Sequence, residues 1–253
     1  MWTGRTHRLV HDESVLRLEF PGHAPVCYSL GMAARAPYDD VAEAYSRQFD
    51  PDGAGLVDPV LVELVGDVQR MEVLSLACGQ GQDARLLASL GASVIGVDVS
   101  SAMLDHARRH EAAQPRGIVY LEADAQELDG IGDARFDGVV CHMALMDIPR
   151  LPATLASVAR VLQREGWFVF SIVHPCFHGH VEVAGDYLVD HRYAKRVPGD
   201  WLPRHAYHRP LGDYVNELDR LGLRLRRMAE VRHAADLGDG GVPGLLYARA
   251  EKS

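Results

Sequence analysis

Between residues 73 and 173, short apolar runs alternate with amphipathic stretches, and this alternation restricts the chain more than any other feature. Runs of this length separated by helix-period segments are the pattern of βαβ units. Val73–Cys78 reads as a first buried strand, Gly79–Asp83 as a glycine-rich turn and Ala84–Leu90 as a helix. Ser93–Val97 is a second strand, followed by a helix over Ser101–His110 with Ser100 as its N-cap. Ile118–Leu121, Phe136–Cys141 and Trp167–Val173 are strands three to five, with a helix over Leu151–Leu162. Right-handed crossovers between such strands build an α/β, doubly wound, Rossmann-like sheet. They gather the strands' C-terminal ends at one ligand-binding edge.

The remaining segments attach to that core. Residues 1–68 are expected to form a helical cap, notably through Tyr38–Phe49, and residues 69–176 the binding core. Residues 177–209 form an insert after strand five, too long for an idle connection and placed as a substrate lid. Residues 210–253 read as a helix over Leu211–Leu221, a strand over Leu223–Val231, a Gly/Asp-rich turn and a last strand over Leu245–Ala250. The whole, residues 1–253, is expected to be a single domain.

Composition narrows the function classes. The formal net charge is −9, from 26 basic and 35 acidic residues, which disfavours general nucleic-acid binding. No run is long and apolar enough to span a bilayer, and Met1–Phe20 lacks the apolar stretch of a signal peptide. Cys27, Cys78, Cys141 and Cys176 form no CxxC pair and read as free thiols of a reducing cytoplasm. Lys occurs only at Lys195 and Lys252, a usage that points to a GC-rich bacterial genome.

Gly79-Gln80-Gly81-Gln82-Asp83-Ala84 follows a strand and opens a helix. Glycines there let the backbone turn sharply and approach a ligand. Asp98 ends the second strand, where a carboxylate accepts from a ribose diol, so the pair implies a nucleoside-containing ligand. Gly79, Gly81 and Ala84 also satisfy GxGxxA, so these residues alone leave a dinucleotide open.

Five stretches in order narrow the choice: Val73-Leu74-Ser75-Leu76-Ala77-Cys78-Gly79-Gln80-Gly81, Gly96-Val97-Asp98-Val99-Ser100-Ser101-Ala102-Met103-Leu104, Glu122-Ala123-Asp124-Ala125, Phe136-Asp137-Gly138-Val139-Val140-Cys141 and Leu162-Gln163-Arg164-Glu165-Gly166-Trp167. Together they resemble the motifs of class I S-adenosylmethionine-dependent methyltransferases of the small-molecule type. The chain departs from them at Ser75, where the family has an acidic residue, and at Ala77, where it has a glycine. The resemblance implies seven strands with the last antiparallel, S-adenosylmethionine as cofactor and S-adenosylhomocysteine as product. It places Ala77, Gly79 and Gly81 along the methionine moiety, Asp98 at the ribose, and Val99, Met103, Asp124 and Ala125 around the adenine. Cys141 and His142 fall beside the sulfonium, and Tyr38 and Tyr45 cover the ligand or pack as core.

Methyl transfer is an in-line displacement that needs alignment and sometimes proton removal. Three histidines are candidates for that work: His174 at the end of strand five, His208 in the insert and His142 after strand four. For His174 the alternative is a hydrogen-bonded structural role before Pro175. His174, Cys176, His178 and His180 alternate, yet Pro175 and Gly179 break a regular strand, so no metal is expected. Asp147 reads as a helix-entry residue. The expected reaction is methylation of an oxygen or nitrogen of a small metabolite, in bacterial secondary metabolism, by a monomer or homodimer. The alternatives are a cyclase- or decarboxylase-like enzyme that binds S-adenosylmethionine without methylating, an NAD-dependent oxidoreductase, or a sensor of S-adenosylmethionine.

Overall fold

A computed structural model describes residues 15–18, 26–29, 36–49, 57–176, 187–194, 205–232 and 243–253. In chain order the elements are β1 (Val15–Leu18), β2 (Val26–Ser29), α1 (Ala42–Phe49), α2 (Pro59–Val65), β3 (Glu72–Leu76), α3 (Gln82–Ser89), β4 (Ser93–Asp98), α4 (Ser101–Ala113) and β5 (Val119–Glu122). They continue with β6 (Phe136–His142), a 3-10 turn (Leu145–Asp147), α5 (Leu151–Val161), β7 (Leu162–Val173), β8 (His191–Ala194), β9 (His205–His208), α6 (Leu211–Arg220), β10 (Leu223–Val231) and β11 (Leu245–Lys252).

Seven strands form one sheet in the order β10-β11-β7-β6-β3-β4-β5. β3 to β7 are mutually parallel, and β11 runs antiparallel to both β7 and β10. The chain lays β4 and β5 to one side of β3, then β6 and β7 to the other. The crevice at the C-terminal tips of β3, β4 and β6 is therefore the topological switch point, where such sheets bind ligands.

Strand period two sends alternate side chains to opposite faces. Leu74, Val139, Cys141, Phe168 and Phe170 pack on one face under α5 and α6. Val73, Val140, Trp167, Val169 and Tyr247 pack on the other under α2, α3 and α4. Continuous apolar runs were readable as strands because both faces of the parallel sheet are covered.

Three local expectations need correction. Residues before α1 include an antiparallel pair of strands, β1 with β2, and not helix alone; the sequence alternation Leu16-Arg17-Leu18-Glu19-Phe20 carried that signal. The helix expected over Tyr38–Phe49 begins only at Ala42, because the Asp39 carboxylate accepts the Ala36 N–H at 2.9 Å and folds residues 37–41 into a turn. The strand expected over Trp167–Val173 begins earlier, at Leu162, and carries a bulge: Phe136 pairs with Leu162, and the register then slips to Gly138 with Trp167.

Of the insert, β8 and β9 form an antiparallel ribbon with His191 opposite His208. His178, His180, Lys195, Arg196, Trp201 and Arg204 lie outside the described residues. Among the described residues no helix is long and apolar enough to cross a membrane.

Candidate functional site

The loop leaving β3 takes left-handed backbone at Ala77 (φ 51°), Gly79 (φ 53°) and Gly81 (φ 84°). The crowding at Gly81 explains its glycine: an added Cβ would lie 2.3 Å from the Tyr120 hydroxyl oxygen. Tyr120, on β5, also packs its ring against Gly96, where a Cβ would come within 2.7 Å. Met103 lies beneath Gly79 in the same way, at 3.0 Å from an added Cβ. The loop thus rests on Tyr120 and Met103, and its glycines serve packing as well as ligand approach.

Asp98 joins the tip of β4 to this loop. Its Oδ2 accepts the Gly79 N–H at 2.7 Å and its Oδ1 accepts the Ser100 N–H at 2.9 Å. Burial pushes the Asp98 carboxyl up, against the stabilising amides of Ser100 and Gly79. A carboxylate has about four lone-pair sites, so acceptor capacity remains for a ribose hydroxyl. At the next strand tip, Asp124 is held by the Gln126 N–H at 2.8 Å and by the Gln126 side-chain amide, and Ala125 is buried beside it. Val99 is half exposed at the tip of β4.

The N-terminal segment is anchored to three of the elements that border this crevice. Asp39 accepts from the Ser100 hydroxyl at 2.6 Å and from the Ala102 N–H at 3.3 Å, at the start of α4. Gln82, in α3, donates to the Phe49 carbonyl at 2.9 Å. The Tyr38 hydroxyl donates to Asp147 at 2.7 Å, and its ring stands edge-on to Tyr45 at 5.8 Å. Burial, and then Asp147, hold the Tyr38 phenol well above its ordinary value, so it remains a donor. Burial also raises Tyr45, with the Asp83, Asp147 and Asp98 charges adding to the shift.

His142 ends β6 between two carboxylates. Its Nδ1 lies 3.1 and 3.2 Å from the Asp83 oxygens, and its Nε2 lies 3.5 Å from Asp58 Oδ2. Burial opposes the imidazolium, but the Asp83 and Asp58 carboxylates outweigh it and hold the pKa up at about 10. Burial likewise acts against the Asp58 charge, yet bonds from His142 and Tyr247 hold its carboxyl well below the usual range. Cys141, fully buried, has its thiol pushed up by that burial.

The other two histidines sit in separate hydrogen-bond sets. His174 is 5% exposed; its Nδ1 accepts the Cys176 N–H at 3.1 Å, which leaves Nε2 to donate to Glu230 on β10 at 2.9 Å. With both ring nitrogens engaged, this geometry favours the structural alternative for His174. His208 stacks on His191 at 4.7 Å and bonds the Tyr187 carbonyl at 2.9 Å.

Sequence reasoning missed Asp39 and Asp58 as parts of this region, and gave Asp83 only as the end of the glycine-rich turn and Asp147 only as a helix-entry residue. Arg209 is buried and donates to the carbonyls of Leu145, Ile148 and Pro149, which fixes the turn carrying Asp147. Asp58 before Pro59 was legible as a helix cap, and its Oδ1 accepts from Val60 and Leu61. The long-range pairs had no sequence signal.

A switch-point crevice with a glycine loop, an acidic residue at the second strand tip and a seven-stranded sheet whose last strand is antiparallel defines a nucleoside-binding, Rossmann-like domain. The family model described as "Methyltransferase domain" matches residues 74–170. The chain is similar to the demethylmenaquinone methyltransferase of Symbiobacterium thermophilum, 33% identical over 214 residues that cover 74% of this chain and 82% of that protein. It is similar also to the ubiquinone biosynthesis O-methyltransferase of Alkalilimnicola ehrlichii, 30% identical over 180 residues, 68% of this chain and 64% of the relative's length. An S-adenosylmethionine dependent methyltransferase from Mesorhizobium loti shares the fold, with a TM-score of 0.60 at 24% identity over 77% of this chain and 96% of that one. The chain belongs to the class I S-adenosylmethionine-dependent methyltransferase family.

Proposed function

We propose that this chain transfers a methyl group from S-adenosylmethionine to an oxygen or nitrogen of a small metabolite. The observation that carries the reading is the charge around the glycine loop. Asp83 occupies the first turn of α3, and the Asp83, Asp98 and Asp147 charges converge on Tyr45. A dinucleotide would bring its pyrophosphate to that helix start, where Asp83 repels it. A sulfonium with an α-ammonium group is instead attracted. The donor set therefore fits S-adenosylmethionine and disfavours NAD.

In this reading Ala77, Gly79 and Gly81 flank the methionine moiety, and Asp98 offers its remaining lone pairs to the ribose. Val99, Met103, Asp124 and Ala125 border the adenine, Cys141 and His142 border the sulfonium, and Tyr38 and Tyr45 cover the ligand. When bound, the cofactor supplies an electrophilic methyl group on sulfur. The protein's part is to align the acceptor, exclude water and accept a proton where the acceptor atom requires it.

The acceptor side is supported by Asp147, which accepts the Tyr38 hydroxyl at 2.7 Å and whose charge also acts on Tyr193. A carboxylate with phenols near it suits a small aromatic acceptor bearing hydroxyl groups. The names of the two relatives, which concern quinones, agree with that class. His208 lies on the β8–β9 ribbon as an acceptor-side candidate, and the ribbon serves as part of a substrate lid on a single domain. Free thiols at Cys78, Cys141 and Cys176 support action in the cytoplasm, as a monomer or homodimer.

The test is incubation with trideuteromethyl S-adenosylmethionine and a panel of catechols, hydroquinones and small amines, read by mass spectrometry. Label in a phenolic product is expected. S-adenosylmethionine-dependent rearrangement of a compound with no label incorporated would replace methyl transfer by the non-methylating alternative.

A further inference from the structure

The two carboxylates that hold His142 are not equivalent. Asp58 is saturated: Oδ1 accepts from the Val60 and Leu61 amides, and Oδ2 accepts the Tyr247 hydroxyl at 2.6 Å besides facing His142. These bonds fix Asp58 to α2 and to β11. Asp83 has a single hydrogen-bonding partner among the described residues, the His142 Nδ1–H, which its two oxygens share. Most of its acceptor capacity is unspent. It stands in the first turn of α3, directly after the glycine loop, and its side chain remains 20% exposed.

The group comprises one imidazole and two carboxylates, with Tyr247 behind, and carries one negative charge when the imidazole is protonated. It is rigid on the Asp58 side and open on the Asp83 side. Partly buried charge of this kind is stabilised by a cation that arrives with the ligand.

We propose that His142 is a positioning residue and not a proton acceptor: its imidazolium, braced by Asp58 and Tyr247, holds Asp83 at the glycine loop, where Asp83 binds the α-ammonium group at the zwitterionic amino-acid end of S-adenosylmethionine. The inference rests on the cofactor reading above and assigns it a residue that the motif resemblance did not. It also accounts for an acidic residue at the start of α3, next to a loop whose amides would otherwise attract an anion.

The test is calorimetric binding of three probes to the full chain and to the variants Asp83→Asn and His142→Gln. S-adenosylmethionine and S-adenosylhomocysteine carry the amino-acid end; 5′-methylthioadenosine lacks it. Both variants are expected to weaken the first two about tenfold or more, the scale of one charge-assisted hydrogen bond, and to leave 5′-methylthioadenosine unchanged. Nitrogen NMR of the wild-type protein at pH 8 is expected to show both His142 ring nitrogens protonated. Variants that bind S-adenosylmethionine with the wild-type Kd would overturn the inference. So would loss of all three probes, which marks a merely structural role, or a His142 that titrates near its ordinary value. A wild-type protein that binds none of the three would instead overturn the cofactor reading itself.

Discussion

Tyr38 and Asp147, 109 positions apart, meet through a 2.7 Å hydrogen bond that joins the N-terminal segment to the turn after β6. Arg209 fixes the same turn from the far side of the insert by donating to three of its carbonyls. Two segments outside the binding core therefore converge on one short turn beside the crevice, and changes to either should reach the ligand through it.

Tyr38→Phe removes the donor and keeps the ring. A hydrogen bond to a charged group contributes about 1.5–3 kcal/mol, so this variant should lose up to that much stability in urea unfolding. Its segment 36–49 should also become more open to limited proteolysis. Unchanged midpoint and unchanged cleavage would show that the bond contributes nothing to docking.

Gly81→Ala should be among the most disruptive single changes in the loop. Left-handed backbone costs a non-glycine residue about 1–2 kcal/mol, and overpacking against Tyr120 adds about 1–3 kcal/mol. Paired with Tyr120→Leu, the loss should fall below the sum of the two single variants, because the clash is shared. Strict additivity would place the strain elsewhere.

Ala77→Gly tests the opposite sign. Ala77 holds φ 51° without being glycine. Relief of the left-handed penalty, less the entropy glycine loses on folding, should raise stability by about 0.5–1 kcal/mol. A lower unfolding free energy would mean that the alanine methyl group makes contacts worth more than the strain.

His142 gives stability a pH dependence. Its folded pKa, at about 10, lies above the ordinary value of 6.5. The stabilisation it brings is therefore fully present below about pH 6.5 and is lost as pH rises towards 10. Asp58 is depressed, so its contribution is present above the usual carboxylate range and is lost in acid. The gap in unfolding free energy between wild type and His142→Gln should narrow from pH 6 to pH 10. A constant gap would show that the imidazole is not held charged.

The parallel core was legible because it obeys local rules. Apolar runs buried on both faces, glycines at a strand-to-helix turn and Ser100 capping α4 each announce themselves within a few residues. β1 and β2 were missed where a weak alternation competed with a helical reading, and α1 began late because Asp39 bonds its own backbone turn. The glycine loop and Asp98 of the cofactor motifs lie together at the C-terminal tips of β3 and β4. What the motifs could not supply is pairing across the chain: Asp58 with His142 and Tyr247, Asp83 with His142, Tyr38 with Asp147. These depend on which strand tips lie side by side, a property of the folded sheet.

The most direct test of the account is thermal unfolding with S-adenosylmethionine, S-adenosylhomocysteine and NAD(H) supplied separately. A ligand at 100 times its Kd adds about 2.7 kcal/mol to the folded state, enough to shift the midpoint visibly. The acidic crevice predicts stabilisation by the two sulfur nucleosides and none by NAD(H). Stabilisation by NAD(H) alone would contradict it, because the carboxylate at the start of α3 would then be tolerating a pyrophosphate.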